Sequence, residues 1–239
     1  MNNPFPAPFK VIGRSVVDWW DGWLDMAMVV SIWFLAQATV IFGPPATFGL
    51  YHVTYNMING EALGVRGLFE GAKKYLKKSL IWGAINLFAL ATIFVNFTFY
   101  GGVQAAWGPY VQMVVVGVAW LYLSTQFYTI PYFMEQEVPS LKIAMRNGLF
   151  TTLASPLFTF IVMVVAAVVV VLSIMLVIPI FLGLPGLIAF LGFRALNDRL
   201  VTFGIRQPEK TPKEIEMEES GRIYSQAIPT GEDQENRQE

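Results

Sequence analysis

The sequence predicts an all-α membrane protein, a bundle of six transmembrane helices with an N-terminal interfacial helix and a cytoplasmic amphipathic helix. Three observations predict it. Residues 26–60, 79–134 and 147–193 contain no Asp, Glu, Lys or Arg. Basic residues collect in alternate loops. Two amphipathic segments flank the apolar windows. Composition agrees: 14% of the 239 residues are charged and 55% are hydrophobic, whereas a soluble domain carries roughly a quarter charged residues.

The first element is the segment 1–23. Lys10, Arg14, Asp18, Asp21 and Asp25 recur at helical spacing, while Ile12, Val16, Trp19, Trp20 and Trp23 take the other face. Charge on one face and tryptophan on the other predict a helix lying at the membrane interface. The three aspartates also argue against a cleavable signal peptide.

The six-span region follows over 24–206. Its apolar windows hold 35, 56 and 47 residues, and about 20 apolar residues cross a bilayer as a helix. Each window therefore fits two spans, placed at about 24–43, 46–60, 79–100, 110–134, 153–178 and 183–203. Gly43, Pro44 and Pro45 are expected to turn the chain between the first two at the outer surface, ahead of Gly49. Pro179, Gly183, Pro185 and Gly186 make a similar break between the last two.

Between the second and third spans, residues 63–78 read as the cytoplasmic amphipathic helix. Val65, Leu68, Phe69, Ala72 and Leu76 form its apolar stripe, and Lys73, Lys74, Lys77 and Lys78 face elsewhere. Such a helix anchors at the interface, or it docks anionic lipid or a cytoplasmic partner. Together with Lys10, Arg14, Lys142, Arg146, Arg199 and Arg206, these lysines place both termini and the two longer loops in the cytoplasm. The tail 207–239 holds nine Asp or Glu and three Pro residues. It is expected to be disordered and cytoplasmic, with a brief helix at 214–219.

Several chemistries are excluded on composition. There is no cysteine and one histidine, so thiol catalysis, disulfides and a zinc site have no ligands. No phosphate-binding loop or paired catalytic carboxylate appears. The net charge of −1 offers nothing for nucleic acid. The chain reads as a non-enzyme without cofactor or metal, whose partner is the lipid bilayer.

Polar residues inside the spans are the candidates for function. Gly49, His52 and Asn56 share a face of the second span, Asn86 and Asn96 punctuate the third, and Gln112, Ala119 and Gln126 line one face of the fourth. Thr159, Ala166 and Ser173 do so in the fifth. Amide and small side chains at such spacing serve close helix packing in lipid. The alternative is that His52, Asn56, Asn86, Gln112 and Gln126 line a path for a small neutral polar solute. Arg194 is expected to snorkel or to pair with Asp198 at i+4.

Residues 23–82 carry a more specific pattern. Trp23-Leu24-Asp25 leads to Trp33, then Gly43-Pro44-Pro45-Ala46-Thr47-Phe48-Gly49-Leu50-Tyr51-His52-Val53, then Leu68-Phe69-Glu70-Gly71-Ala72-Lys73-Lys74, and Trp82. This resembles the YesL family of bacterial multi-pass membrane proteins, a domain-of-unknown-function group. The resemblance implies the bacterial cytoplasmic (inner) membrane. It also implies a non-enzymatic accessory or regulatory part in carbohydrate transport, with a transport-system partner.

Overall fold

The computed structural model describes residues 6–176 and 183–207. They form nine helices and no strand: α1 (Pro6–Asp21), α2 (Trp23–Gln37), α3 (Gly43–Ile58), α4 (Gly64–Lys74), α5 (Leu76–Gly101), α6 (Gly108–Met134), α7 (Leu141–Ala154), α8 (Pro156–Leu176) and α9 (Leu184–Thr202). Three of them, α5, α6 and α8, are long and apolar enough to cross a membrane, and α2 is a shorter apolar helix. The chain divides into two units, residues 1–199 and 200–239. In the second, α9 ends at Gly204, whose φ is 72°, with the Ile205 N–H donating to the Leu200 carbonyl. A left-handed glycine closing a helix in this way satisfies carbonyls that the helix leaves open. The tail expected beyond Gln207, the helix expected at 214–219 and the break expected at Pro179 lie outside the described residues.

The N-terminal helix forms, but a different face of it does the packing. Val11, Ser15 and Trp19 recur every fourth residue and are 4%, 0% and 9% exposed, whereas Trp20 is 65% exposed. The indole N–H of Trp19 donates to the Gly183 carbonyl at 3.0 Å. Next to it, Arg194 Nε meets Asp18 Oδ2 at 2.6 Å. A buried indole N–H needs an acceptor, and this one comes from 164 residues away. Periodicity alone cannot show that contact, so α1 is held against protein along this face and does not rest on lipid by all three tryptophans.

α2 and α3 form an antiparallel hairpin. They hold 15 and 16 residues, which at 1.5 Å per residue gives about 22 and 24 Å, short of a hydrocarbon core of about 30 Å. Gly43, Pro44 and Pro45 are not the turn: they are the first turn of α3, where proline loses no hydrogen bond. The turn is residues 38–42, closed by the Gly43 N–H donating to the Thr39 carbonyl. Gln37 clasps it, its Nε2 donating to the Gly43 carbonyl and to Thr47 Oγ1, each at 3.2 Å. Trp33 Nε1 donates to the same hydroxyl at 3.1 Å. The side-chain groups of Trp33, Gln37 and Thr47 at this apolar tip thus bond to one another.

The hairpin docks on the first third of α5. Pro44 lies against Gly83, so closely that a Cβ there would collide with its ring. Phe48 is fully buried, with ring centroids 5.7 Å from Trp82, 5.2 Å from Phe133 and 6.4 Å from Tyr75. Gly83 is only about 10 Å along α5 from Leu76, and α5 then runs on for about 27 Å.

α6 is divided by its surroundings. Ser124 to Met134 are buried, while Val114 is 65% exposed and Phe88 of α5 is 77% exposed. One half is the core of the fold and the other shows apolar side chains outward. The buried half is covered by α7, an element that the expected fifth span (153–178) hides by starting too late. α7 stops at Ser155, and Pro156 opens α8.

The last expected pair needs correction. It sets Gly183 on the surface opposite the start of α2, yet Gly183 lies 3.0 Å from the backbone of Met26 and Ala27 when its missing Cβ is built. α9 carries Arg194, Asp198 and Arg199. The Arg199 guanidinium covers the Phe158 ring at 3.8 Å and pairs with Asp198. These charges are held by partners at close range, which explains how a helix so apolar in sequence tolerates them.

Candidate functional site

The expected site residues separate into two groups. His52 and Asn56 belong to α3 and face α4. Asn56 Nδ2 donates to the His52 carbonyl at 2.6 Å and lies 3.4 Å from its Nδ1. The imidazole packs on Gly71 and stands edge-on to Tyr75, 6.0 Å between centroids. A Cβ on Gly71 would sit 2.6 Å from His52 Cβ, and one on Gly49 would strike the Leu68 carbonyl oxygen. Two glycines therefore set the spacing at which α3 and α4 cross, and the histidine ring fills the space that Gly71 leaves.

The second group is the α5–α6 seam. Trp82 Nε1 donates to Gln126 Oε1 at 2.9 Å, and the Tyr122 hydroxyl donates to Asn86 Oδ1 at 3.1 Å. Asn86 Nδ2 returns to the Trp82 carbonyl at 2.8 Å. Gln112 sits at the far end of the seam, reaching the Phe97 carbonyl at 3.3 Å. Other α6 residues tie the remaining neighbours: the Tyr132 hydroxyl pairs with Thr151 of α7 at 2.7 Å, and Tyr128 with Thr159 of α8 at 3.3 Å. Polar side chains of α6 thus reach three helices, α5, α7 and α8, which the heptad pattern of Gln112 and Gln126 does not reveal.

Hydrogen-bonding capacity remains on α6. Trp120 Nε1, Ser124 Oγ and Gln126 Nε2 are buried without a partner. Gln126 is held through its oxygen alone, so replacing it with leucine removes one orphaned donor and leaves one other, the Trp82 indole N–H. Gln126→Leu is expected to cost less than about 1 kcal/mol, since interhelical hydrogen bonds in lipid are worth about 0.6. Trp82→Phe, which strands the whole amide, is expected to cost more. Thermal unfolding in detergent ranks the two, and the reverse order would sink this account of the seam.

Two clefts among the described residues have no wall from His52, Asn56, Asn86, Gln112 or Gln126. One, of 310 Å³, is walled by Asp18, Asp21, Asp25, Met57, Phe190 and Arg194. The other, of 380 Å³, lies between the α2–α3 hairpin and α4, with Leu35, Phe42, Ala46, Leu68, Phe69 and Ala72 among its walls. Among the described residues no group of three or more His, Cys, Asp or Glu side chains is placed to hold a metal ion.

The four lysines also separate. Lys78 Nζ donates to the Pro139 carbonyl at 2.5 Å and lies 5.5 Å from the Phe133 ring centre. Lys74 sits over the Tyr75 ring at 5.1 Å. Lys73 and Lys77 are exposed. The expected single helix over 63–78 is two helices broken at Tyr75, whose ring is buried against Phe48 and Phe133.

The fold and these sites define an all-helical chain with three helices able to cross a membrane. No family model, no curated protein and no solved structure matches it.

Proposed function

We propose that this is a non-enzymatic protein of the bacterial cytoplasmic membrane, acting as an accessory or regulatory partner of carbohydrate transport. The observation that carries the reading is the fate of the polar groups in the apolar helices. Asn86, Gln126, Tyr122, Tyr128 and Tyr132 bond to neighbouring helices, and no carboxylate lies in α5, α6 or α8. Ion-coupled carriers hold an ionisable group or an unwound helix at mid-membrane. The carbohydrate assignment comes from the YesL-like segment.

The topology that goes with it keeps both termini and the lysines cytoplasmic. α5 and α6 cross and return. The α2–α3 hairpin enters from the cytoplasmic side and turns back before the outer surface, which leaves the lysines on the same face as two full crossings would. α8 enters the bilayer, the chain is again beside Met26 by Gly183, and α9 stays on the cytoplasmic side with its three charges.

A facilitator for a small neutral polar solute is the second reading, favoured by the unpartnered groups of Trp120, Ser124 and Gln126. Two measurements on one strain separate them. Deleting the gene is expected to lower uptake of a transported sugar in cells, restored by a plasmid copy. Proteoliposomes holding the purified chain alone are expected to swell in glycerol or xylose no faster than empty ones. Rapid swelling would put the facilitator first.

A further inference from the structure

We infer that the groove between the α2–α3 hairpin and α4 seats one acyl chain of an anionic phospholipid, with Lys73 holding the headgroup. This deepens the membrane reading above and rests on α4 lying at the cytoplasmic face. The groove is 380 Å³ and, apart from Thr39, its walls are apolar: Ile32, Leu35 and Ala36 of α2, Phe42, Pro45 and Ala46 around the turn, and Leu68, Phe69 and Ala72 of α4. Its rim is apolar and open, with Leu35, Phe42 and Phe69 between 61% and 71% exposed. A rim of that kind belongs in hydrocarbon.

Charge then selects the occupant. Phe69 and Lys73 are i and i+4 on α4 and share a face, so Lys73 lies one turn along the helix from the groove's aromatic wall. Lys73, Lys74 and Lys77 are exposed, with Lys74 over the Tyr75 ring, whereas Lys78 is turned onto Phe133 and the Pro139 carbonyl. On the opposite flank, Arg66 is answered by Glu70 at 2.7 Å. Of the exposed lysines, Lys73 is the one a single turn from Phe69 on the groove's wall. An apolar slot with a cation at its lip fits a chain and a phosphate together. A zwitterionic lipid brings its own cation to the same place and gains less.

Native mass spectrometry of the full chain in detergent tests this with two probes, phosphatidylglycerol and phosphatidylcholine of the same chains. The wild type is expected to retain phosphatidylglycerol at least fivefold better. Lys73→Gln is expected to remove about fivefold of that preference, the effect of one lysine near an anionic group, while phosphatidylcholine is unaffected. Ala36→Phe and Ala72→Phe fill the groove from opposite walls, and each is expected to lower retention of both lipids. Because the two substitutions lie on different helices, one that fails to fold leaves the other to decide. Equal retention of the two lipids by the wild type overturns the headgroup assignment. Wild-type retention by a folded groove-filled variant overturns the groove. Failure of the membrane topology shows separately, in the accessibility of α4 to reagents outside the cell.

Discussion

In intact cells, a cysteine at Gly102 is expected to react fully with an impermeant thiol reagent, and one at Ile41 not at all. The chain has no cysteine of its own, so each single-cysteine variant reports on one position. Gly102 follows the end of α5, the far end of the crossing pair. Ile41 is at the hairpin tip and 66% exposed on the protein surface, so shielding by protein does not explain silence there. Two full crossings place that tip at the outer surface, where it would be labelled like Gly102. In the proposed topology the register against α5 stops it short by about 27 Å of helix, in hydrocarbon. Cysteine at Glu61, in the exposed link between α3 and α4, is expected to react only after the membrane is opened. Strong labelling at Ile41 from outside would restore the six-span arrangement for the first pair.

The difference between six expected spans and three helices long enough to cross shows what this sequence can and cannot convey. Helix positions are legible because charge-free windows and Gly-Pro breaks mark them: α5 and α6 begin and end within three residues of the expected third and fourth spans. Depth is not legible. A hydropathy window measures how apolar a stretch is, and the 15 residues of α2 are apolar enough for a span without being long enough. α7 was hidden because Leu141–Ala154 is too mixed for a membrane window and packs on α6 through Gly148, a contact between helices. The candidate residues were legible as polar groups in apolar helices. Their partners, such as Trp82 for Gln126 and Gly71 for His52, lie tens of residues away and follow from the fold. Gln37, which clasps the hairpin tip, carried no signal at all, since one amide at a span's end looks like ordinary boundary polarity.

The glycines of the α3–α4 crossing yield the other large effect, and its sign separates packing from local preference. Alanine is favoured over glycine inside a helix by about 1 kcal/mol. At Gly13 and Gly117 an added Cβ meets nothing within 4 Å, so Gly13→Ala and Gly117→Ala are expected to leave stability unchanged or raise it by up to that amount. At Gly49 the same methyl group strikes the Leu68 carbonyl oxygen, a backbone atom that cannot turn aside. Overpacking of a tight contact costs about 1–3 kcal/mol and occasionally more, so Gly49→Ala is expected to lose about 2 kcal/mol net. Gly71→Ala meets His52 Cβ at 2.6 Å. Trimming the imidazole in His52→Ala leaves that atom in place, so Gly71→Ala is expected to stay damaging in the His52→Ala background and to be relieved only by His52→Gly. Equilibrium unfolding of the four glycine variants and the two His52 double variants in one detergent reads these signs directly. Rescue by His52→Ala would show that the ring makes the contact, and a neutral Gly49→Ala would mean that α3 and α4 do not cross as closely as described. If the signs hold, Gly49, His52 and Gly71 owe their places in the 23–82 pattern to the spacing of two helices, and the search for chemistry moves to α6 and to the lysine-lipped groove.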